Sequence, residues 1–287
     1  MNVRKAVIPT AGLGTRFLPV TKAVPKALLP VLDTPVIHLA VEEAAAAGIE
    51  RVAMVVSPNQ DAISAYFDVS SDVARMLERQ GRAALIERVS DLAKTVEITY
   101  VQQRKPLGNG HAVLVAKEEV GDEPTAVILP DDVIRGGGST IGRMIEIYHE
   151  TGGPVIGVAE TPEETIPQKG VVAPTSQNGR VYEISGLVEK PSIEEAPSNL
   201  AVVGRYVLPP EIFPALERTS PGAGGEIWLA DGIAALLKTH QGTAYRFPGE
   251  LFDTGVPVGM LKASIREALD RDDISDEIRA YIRDLAT

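Results

Sequence analysis

At 287 residues the chain is long enough for one large α/β domain or two small ones, and 44% apolar with only 5% aromatic residues suits an aliphatic core of sheet and helices. Its 28 basic against 39 acidic side chains give a net charge of −11, which excludes attraction to nucleic acid or anionic membranes through the overall field, although phosphates can still be held locally. With no cysteine, disulfides, thiol nucleophiles and Cys-ligated zinc are excluded; no apolar run approaches the roughly 20 residues that span a bilayer, and the start does not read as a secretory signal, so the chain is expected in the cytoplasm.

In chain order, Val3–Pro9 is an apolar run closed by proline and predicts a first strand. The loop PTAGLGTRFLPVTKAVPKALLP follows, from Pro9 to Pro30, with two glycines, one arginine and two lysines. A helix is predicted from an N-cap at Asp33 or Thr34, with Pro35 in its first turn, to Ala47, where Gly48 terminates it. Arg51–Val56 predicts a second strand, and this βαβ order predicts a parallel pair with a right-handed crossover. Asp72–Lys94 reads as one or two charge-rich amphipathic helices. Strands at Val96–Val101 and Thr125–Leu129, a helix at Ser139–Glu150 and a strand at Gly153–Glu160 follow. From Gly170 the texture changes. GVVAP, GRVYEISGLVEKP and NLAVVGRYVLP are short strands between turn residues and read as a β-rich insertion serving a second ligand. Helices return at Glu211–Arg218, Glu226–Thr239, Val256–Asp270 and Asp276–Ala286, while 136–140 and 220–226 are loops.

The first loop carries Gly12-x-Gly14, but Phe17 stands where the Rossmann fingerprint needs a third glycine, and the Walker pattern is absent. Its glycines still let backbone N–H groups approach an anion. Arg16 and Lys26 add a guanidinium fork and a point charge, so amides and bases together can meet a triphosphate. The plainer alternative is a glycine turn with two solvated bases. Gln103 lies between a strand end and a Gly-rich helix start, and its amide offers donor and acceptor in one plane, as a pyrimidine edge requires; Gly108 lets backbone groups reach the same base. Asp131 and Asp132 follow TAVIL at the C-terminal end of a predicted parallel strand, where such sheets bind ligands, or else they cap a helix. Asp253 in ELFDTG is a further carboxylate, and Mg²⁺ is usually held by one or two carboxylates plus phosphate oxygens. Glu189 and Lys190 end a strand before Pro191, where both can turn toward one ligand or remain an exposed ion pair. No nucleophilic Ser arrangement is visible, and His111 reads as structural.

The string AGLGTRFLPVTKAVPKALLPVLDTP, followed in order by PLGNGHAV, ILPDD, GLVEKP, GRYVL, GAGGEIWLAD and DTG, closely resembles the signature of bacterial glucose-1-phosphate uridylyltransferases (UDP-glucose pyrophosphorylases), which are sugar-nucleotidyltransferases. The resemblance covers nearly the whole chain. It implies an α/β, Rossmann-like three-layer fold with a mostly parallel mixed sheet and a small β-rich sugar-binding part. It implies a single domain over 1–287, with 1–160 mainly nucleotide-binding, 161–255 mainly sugar-binding and 256–287 C-terminal helices. The implied reaction is Mg²⁺-dependent: glucose 1-phosphate attacks UTP in line to give UDP-glucose and pyrophosphate. The implied assembly is a homo-oligomer, dimer or tetramer.

Carried over residue by residue, the resemblance makes Arg16, Lys26 and Lys190 catalytic. It gives the nucleotide Ala11, Gly12, Leu13, Gly14, Thr15, Gln103 and Gly108, the sugar Gly170, Glu189, Gly204 and Ala230, and the metal Asp131 and Asp253. The sequence departs from the family at Ala27, where a glutamate usually follows the lysine, and at Lys169, usually a tyrosine. It departs again at Trp228–Leu229–Ala230–Asp231, usually Q-L-T-D. These changes leave open another sugar 1-phosphate, such as an amino sugar, or dTTP. They also leave open a weakly active regulatory homologue, against which the retention of Arg16, Lys26, Asp131, Lys190 and Asp253 argues. Trp228 reads as either a core aromatic or a pocket residue.

Overall fold

The computed structural model describes residues 2–58 and 60–285. Met1, Asn59, Ala286 and Thr287, which the sequence reading includes in its first and last spans, lie outside the described residues. The chain opens on β1 (Lys5–Pro9) and passes through a long irregular excursion to a small ribbon, β2 (Pro30–Val31) against β3 (Thr34–Pro35). Next come α1 (Val36–Ala46), β4 (Arg51–Val56), α2 (Asp61–Phe67), α3 (Asp72–Arg79), α4 (Glu87–Thr95) and β5 (Glu97–Gln102). The helices α5 (Asn109–Val115) and α6 (Lys117–Val120) lead to β6 (Thr125–Ile128), β7 (Asp132–Arg135), α7 (Thr140–Thr151) and β8 (Val155–Glu160). The hairpin β9 (Gly170–Asn178) and β10 (Val181–Glu189) precedes β11 (Leu200–Leu208), α8 (Ile212–Arg218) and α9 (Leu229–Leu236). The chain closes with β12 (Gly242–Arg246), β13 (Glu250–Asp253), α10 (Pro257–Asp270) and α11 (Ser275–Leu285).

Nine strands form one sheet in the order β5-β4-β1-β6-β11-β8-β12-β10-β9. Successive pairings make every strand except β11 and β10 point the same way, the mostly parallel mixed sheet that was expected. Alternation along the strands builds the three layers. Ala6 and Ile8 of β1, with Met54 of β4 and Ile128 of β6, face a core closed by α1 and α7. Val7, Val55 and Val127 face the opposite core, closed by α5, α8 and α9. Strands buried on both faces read as continuous apolar runs, which is why VRKAVIP and TAVI were recognisable. Among the described residues no helix is long and apolar enough to cross a membrane.

The β-rich stretch is continuous with this sheet. The hairpin β9–β10 extends its edge through β12, while β11 runs antiparallel through the middle, between β6 and β8. Several element boundaries differ from expectation by one to three residues, and two helix starts show the physical reason. The first helix starts at Val36, not after Asp33 or Thr34, because Thr34–Pro35 is drawn into the ribbon with Pro30–Val31; Asp33 instead pairs with Arg271 and accepts from the Thr34 hydroxyl. The late helix starts at Leu229 and not Glu226, because the Ile227 N–H is donated to the Leu107 carbonyl and the Ile227 carbonyl accepts from Gly110. That clamp holds Trp228 extended.

Candidate active site

The ends of β1, β5 and β10 and the turn after β6 surround one cleft of about 590 Å³. Its floor is the loop after β1, where Ala11, Gly12, Leu13, Gly14, Thr15 and Arg16 all line the wall. Gly14 sits at φ 62°, and a Cβ there would come within 2.9 Å of the Lys26 Cβ, so glycine is what lets this loop lie against Lys26. The Thr21 hydroxyl fastens the same turn by donating to the Gly14 carbonyl at 2.8 Å.

Lys26 reaches across the loop, and its Nζ lies 2.6 Å from Asp131 Oδ2. Asp253 approaches from a different segment. In the antiparallel ribbon of β13 on β7, Asp253 stands opposite Asp132. The backbone N–H and the hydroxyl of Thr254 both donate to the Asp131 carbonyl, at 2.7 and 2.8 Å. The point a Cβ on Gly255 would occupy is 2.8 Å from Asp253 Oδ1, 3.1 Å from Asp131 Oδ2 and 3.1 Å from Lys26 Nζ, so two carboxylates and one ammonium converge there. Among the described residues no group of three or more His, Asp or Glu side chains gathers to hold a metal. A hard cation bound at Asp131 and Asp253 therefore has to complete its coordination with oxygens from substrate and water.

Asp132 turns the other way. Its Oδ2 accepts from the Gly204 N–H at 2.7 Å, and burial, together with the neighbouring Asp131 charge, pushes its carboxyl up to about 6. Arg205, buried beside it, binds Glu43 and donates to the carbonyls of Leu129, Gly204 and Asp132. The turn carrying Asp131 is thus pinned by a central strand. Gly204, expected at the sugar, has its N–H committed to this strut.

On the opposite wall, Gln103 is buried at the end of β5, with its side-chain amide nitrogen 3.0 Å from both the Gly108 carbonyl and His111 Nδ1. Gly108 has φ 95°, and a Cβ there would lie 2.7 Å from the Ile227 carbonyl, so only glycine fits against the 226–228 clamp. Glu189 ends β10, where burial raises its carboxyl above the usual range against the pull of Lys190. Lys190 takes a left-handed backbone, φ 49°, rare for a side chain of this length, and donates its N–H to the Lys169 carbonyl. Its Nζ lies 4.6 Å from the centre of the Trp228 ring and 3.6 Å from Glu189 Oε1.

Of the residues expected at the site, those of the β1 loop, Gln103, Gly108, Asp131, Glu189 and Lys190 line the one cleft, and Lys26 and Asp253 join Asp131 beside it. Gly170, Gly204 and Ala230 lie outside that lining. Glu189 Oε2 lies over Gly170, and Ala230 packs half-buried against the core. Trp228 is a pocket residue. Gly255 and the His111 contact were not anticipated; the glycine of DTG and the histidine of GNGH were their only signals.

Residues 5–268 match the nucleotidyl transferase family. The chain belongs to that family. As a nucleotidyl transferase it is 44% identical over 284 residues to a UTP–glucose-1-phosphate uridylyltransferase of Staphylococcus epidermidis, covering 99% of both chains. Among solved structures, a UTP-bound UGPase from Acinetobacter baumannii superposes with a TM-score of 0.90 at 39% identity, covering 99% of each chain. A UDP-glucose pyrophosphorylase complexed with UDP-glucose gives a TM-score of 0.87 at 36% identity, covering 94% of this chain and 100% of the other.

Proposed function

We propose that this nucleotidyl transferase joins UTP and glucose 1-phosphate into UDP-glucose and pyrophosphate. The observation that carries the reading is the meeting, around one cleft, of a glycine loop, Lys26 with two carboxylates, the Gln103 amide and Lys190. In this reading the backbone N–H groups of 12–15 and Arg16 cradle the triphosphate. A phosphate oxygen of the sugar 1-phosphate, oriented by Lys190, forms a bond to the α-phosphorus while the bond to the β-phosphate oxygen breaks and pyrophosphate leaves. Lys26 neutralises charge on the nucleotide side. Glu189 accepts from a sugar hydroxyl. Positioning and charge neutralisation supply the rate, so no protein nucleophile is required.

Asp131 and Asp253 offer hard oxygen ligands to a divalent cation, Mg²⁺ by choice of donor. Such an ion, when bound, supplies charge neutralisation between the two substrates. Within the single domain, 1–160 serves the nucleotide and 161–255 the sugar. The protein works in the cytoplasm as a homo-oligomer. A second reading, for another sugar 1-phosphate such as an amino sugar, rests on Trp228, which lines the cleft where the resembled family usually has a glutamine.

The test is pyrophosphate release with Mg²⁺ over a panel of UTP, dTTP, CTP and ATP against glucose, glucosamine, N-acetylglucosamine and galactose 1-phosphates. The reading fails if UTP with glucose 1-phosphate gives no product. It moves to the second reading if an amino sugar is preferred by more than about tenfold in kcat/KM, some 1.4 kcal/mol.

A further inference from the structure

We infer that His111 sets the base selectivity of the site by fixing which end of the Gln103 amide faces the cleft. The inference rests on the proposed uridylyl transfer and concerns how that same site chooses its base. Gln103 is only 6% exposed, and one amide atom, the nitrogen, lies 3.0 Å from the Gly108 carbonyl oxygen and 3.0 Å from His111 Nδ1. A carbonyl oxygen can only accept, so the amide end facing Gly108 must be the NH₂ group. Its second hydrogen then points at His111 Nδ1, which must accept it. That requires a neutral imidazole carrying its proton on Nε2. Burial holds His111 below its ordinary pKa and so favours the neutral ring.

Both amide hydrogens are therefore engaged inside the wall. The remaining polar atom of the side chain, Oε1, accepts from no protein group among the described residues, and Gln103 lines the cleft. An outward-facing acceptor pairs with the ring N–H that uracil and thymine carry at N3. Cytosine presents a lone pair at that position, and two facing acceptors leave both unsatisfied. His111 touches Gln103 and acts through it, so it is a positioning residue for base choice. The histidine of GNGH is the one signal in the sequence, and the contact at its Nδ1 is what gives it this role.

The experiment compares kcat and KM for UTP and CTP, with glucose 1-phosphate and Mg²⁺, in the wild type, His111→Phe and His111→Asn, alongside calorimetric binding of each nucleotide without sugar. Phenylalanine keeps the bulk but leaves one buried amide hydrogen unpaired; asparagine restores an acceptor near the position of Nδ1. For His111→Phe, the ratio of UTP to CTP kcat/KM is expected to fall about tenfold, mainly through KM for UTP, the scale of one misplaced polar contact. His111→Asn is expected to keep most of the wild-type ratio. A ratio unchanged in His111→Phe, or lowered equally in His111→Asn, overturns the inference and leaves uridylyl transfer standing. So does a wild type that binds CTP as tightly as UTP. A wild type that turns over no UTP overturns the functional reading and this inference with it.

Discussion

Replacing Gly255 with alanine is expected to cripple turnover while leaving the fold intact. Gly255 is buried just after the β13 ribbon, and its φ lies outside the left-handed region, so alanine meets no backbone penalty there. The added methyl carbon would lie 2.8 Å from Asp253 Oδ1 and 3.1 Å from both Asp131 Oδ2 and Lys26 Nζ, whereas ordinary contact begins at 3.4 Å. All three groups must back away by a few tenths of an ångström. The Lys26–Asp131 pair is at 2.6 Å, and Asp253 Oδ1 accepts from the Gly255 N–H at 2.9 Å, so backing away lengthens and re-aims these bonds, and the upper limit of the effect is the loss of one of them. Losing a hydrogen bond to a charged group costs about 1.5–3 kcal/mol, which corresponds to about 10- to 150-fold in kcat/KM. The assay is steady-state pyrophosphate release, with a thermal melt as the control for folding. The melt should move little, because the crowded groups are partly exposed and outside the main cores. If Gly255→Ala keeps kcat/KM within about threefold of wild type, below 1 kcal/mol, the convergence of these three groups is not where the chemistry is organised.

Four further outcomes test the site and the fold. Asp131→Asn should lower turnover at least about tenfold and raise the Mg²⁺ concentration needed for half-maximal rate; near-wild-type activity at limiting Mg²⁺ would count against a metal carboxylate there. Lys26→Ala should chiefly raise KM for UTP and Lys190→Ala chiefly KM for the sugar phosphate, and identical kinetic defects would refute the division between the two walls. Trp228→Gln removes the ring beside Lys190; since that lysine is half-exposed, the lower end of a cation–π contact applies, about 0.5–1 kcal/mol or two- to fivefold in KM for the sugar phosphate, and no change would show the ring to be idle. His38, buried and bonded to the Tyr66 hydroxyl, is held below its ordinary value of 6.5 by burial, so the unfolded chain takes up its proton first as pH falls and stability should decline from pH 6.5 downward; His38→Gln should flatten that decline in melts between pH 7.5 and 5.5, and an unchanged slope would exclude this cause.

Local chemistry was legible in the sequence wherever neighbours along the chain decide it. Runs such as VAMVV and TAVIL must be buried on both faces, which marks central strands of a covered sheet. The two-glycine loop marks a wall of the cleft, because only glycine lets the turn at Gly14 lie so closely against Lys26. A carboxylate pair at a strand end points to the ligand crevice of such sheets. Tertiary structure decided the rest. Asp131 and Asp132 are indistinguishable as a dipeptide; one faces the cleft because Lys26, 105 residues away, meets it, and the other is turned inward by the N–H of Gly204, 72 residues away. The strand β11 reads like its neighbours in the β-rich stretch, and only hydrogen-bond pairing with β6 and β8 puts it at the centre. Trp228 looked equally suited to core and pocket until the clamp between 107–110 and 226–228 held its backbone extended beside Lys190. Periodicity encodes which face of a strand or helix is buried. It carries no information on strand order, and strand order is what brings Asp131, Asp253 and Lys26 to a single point.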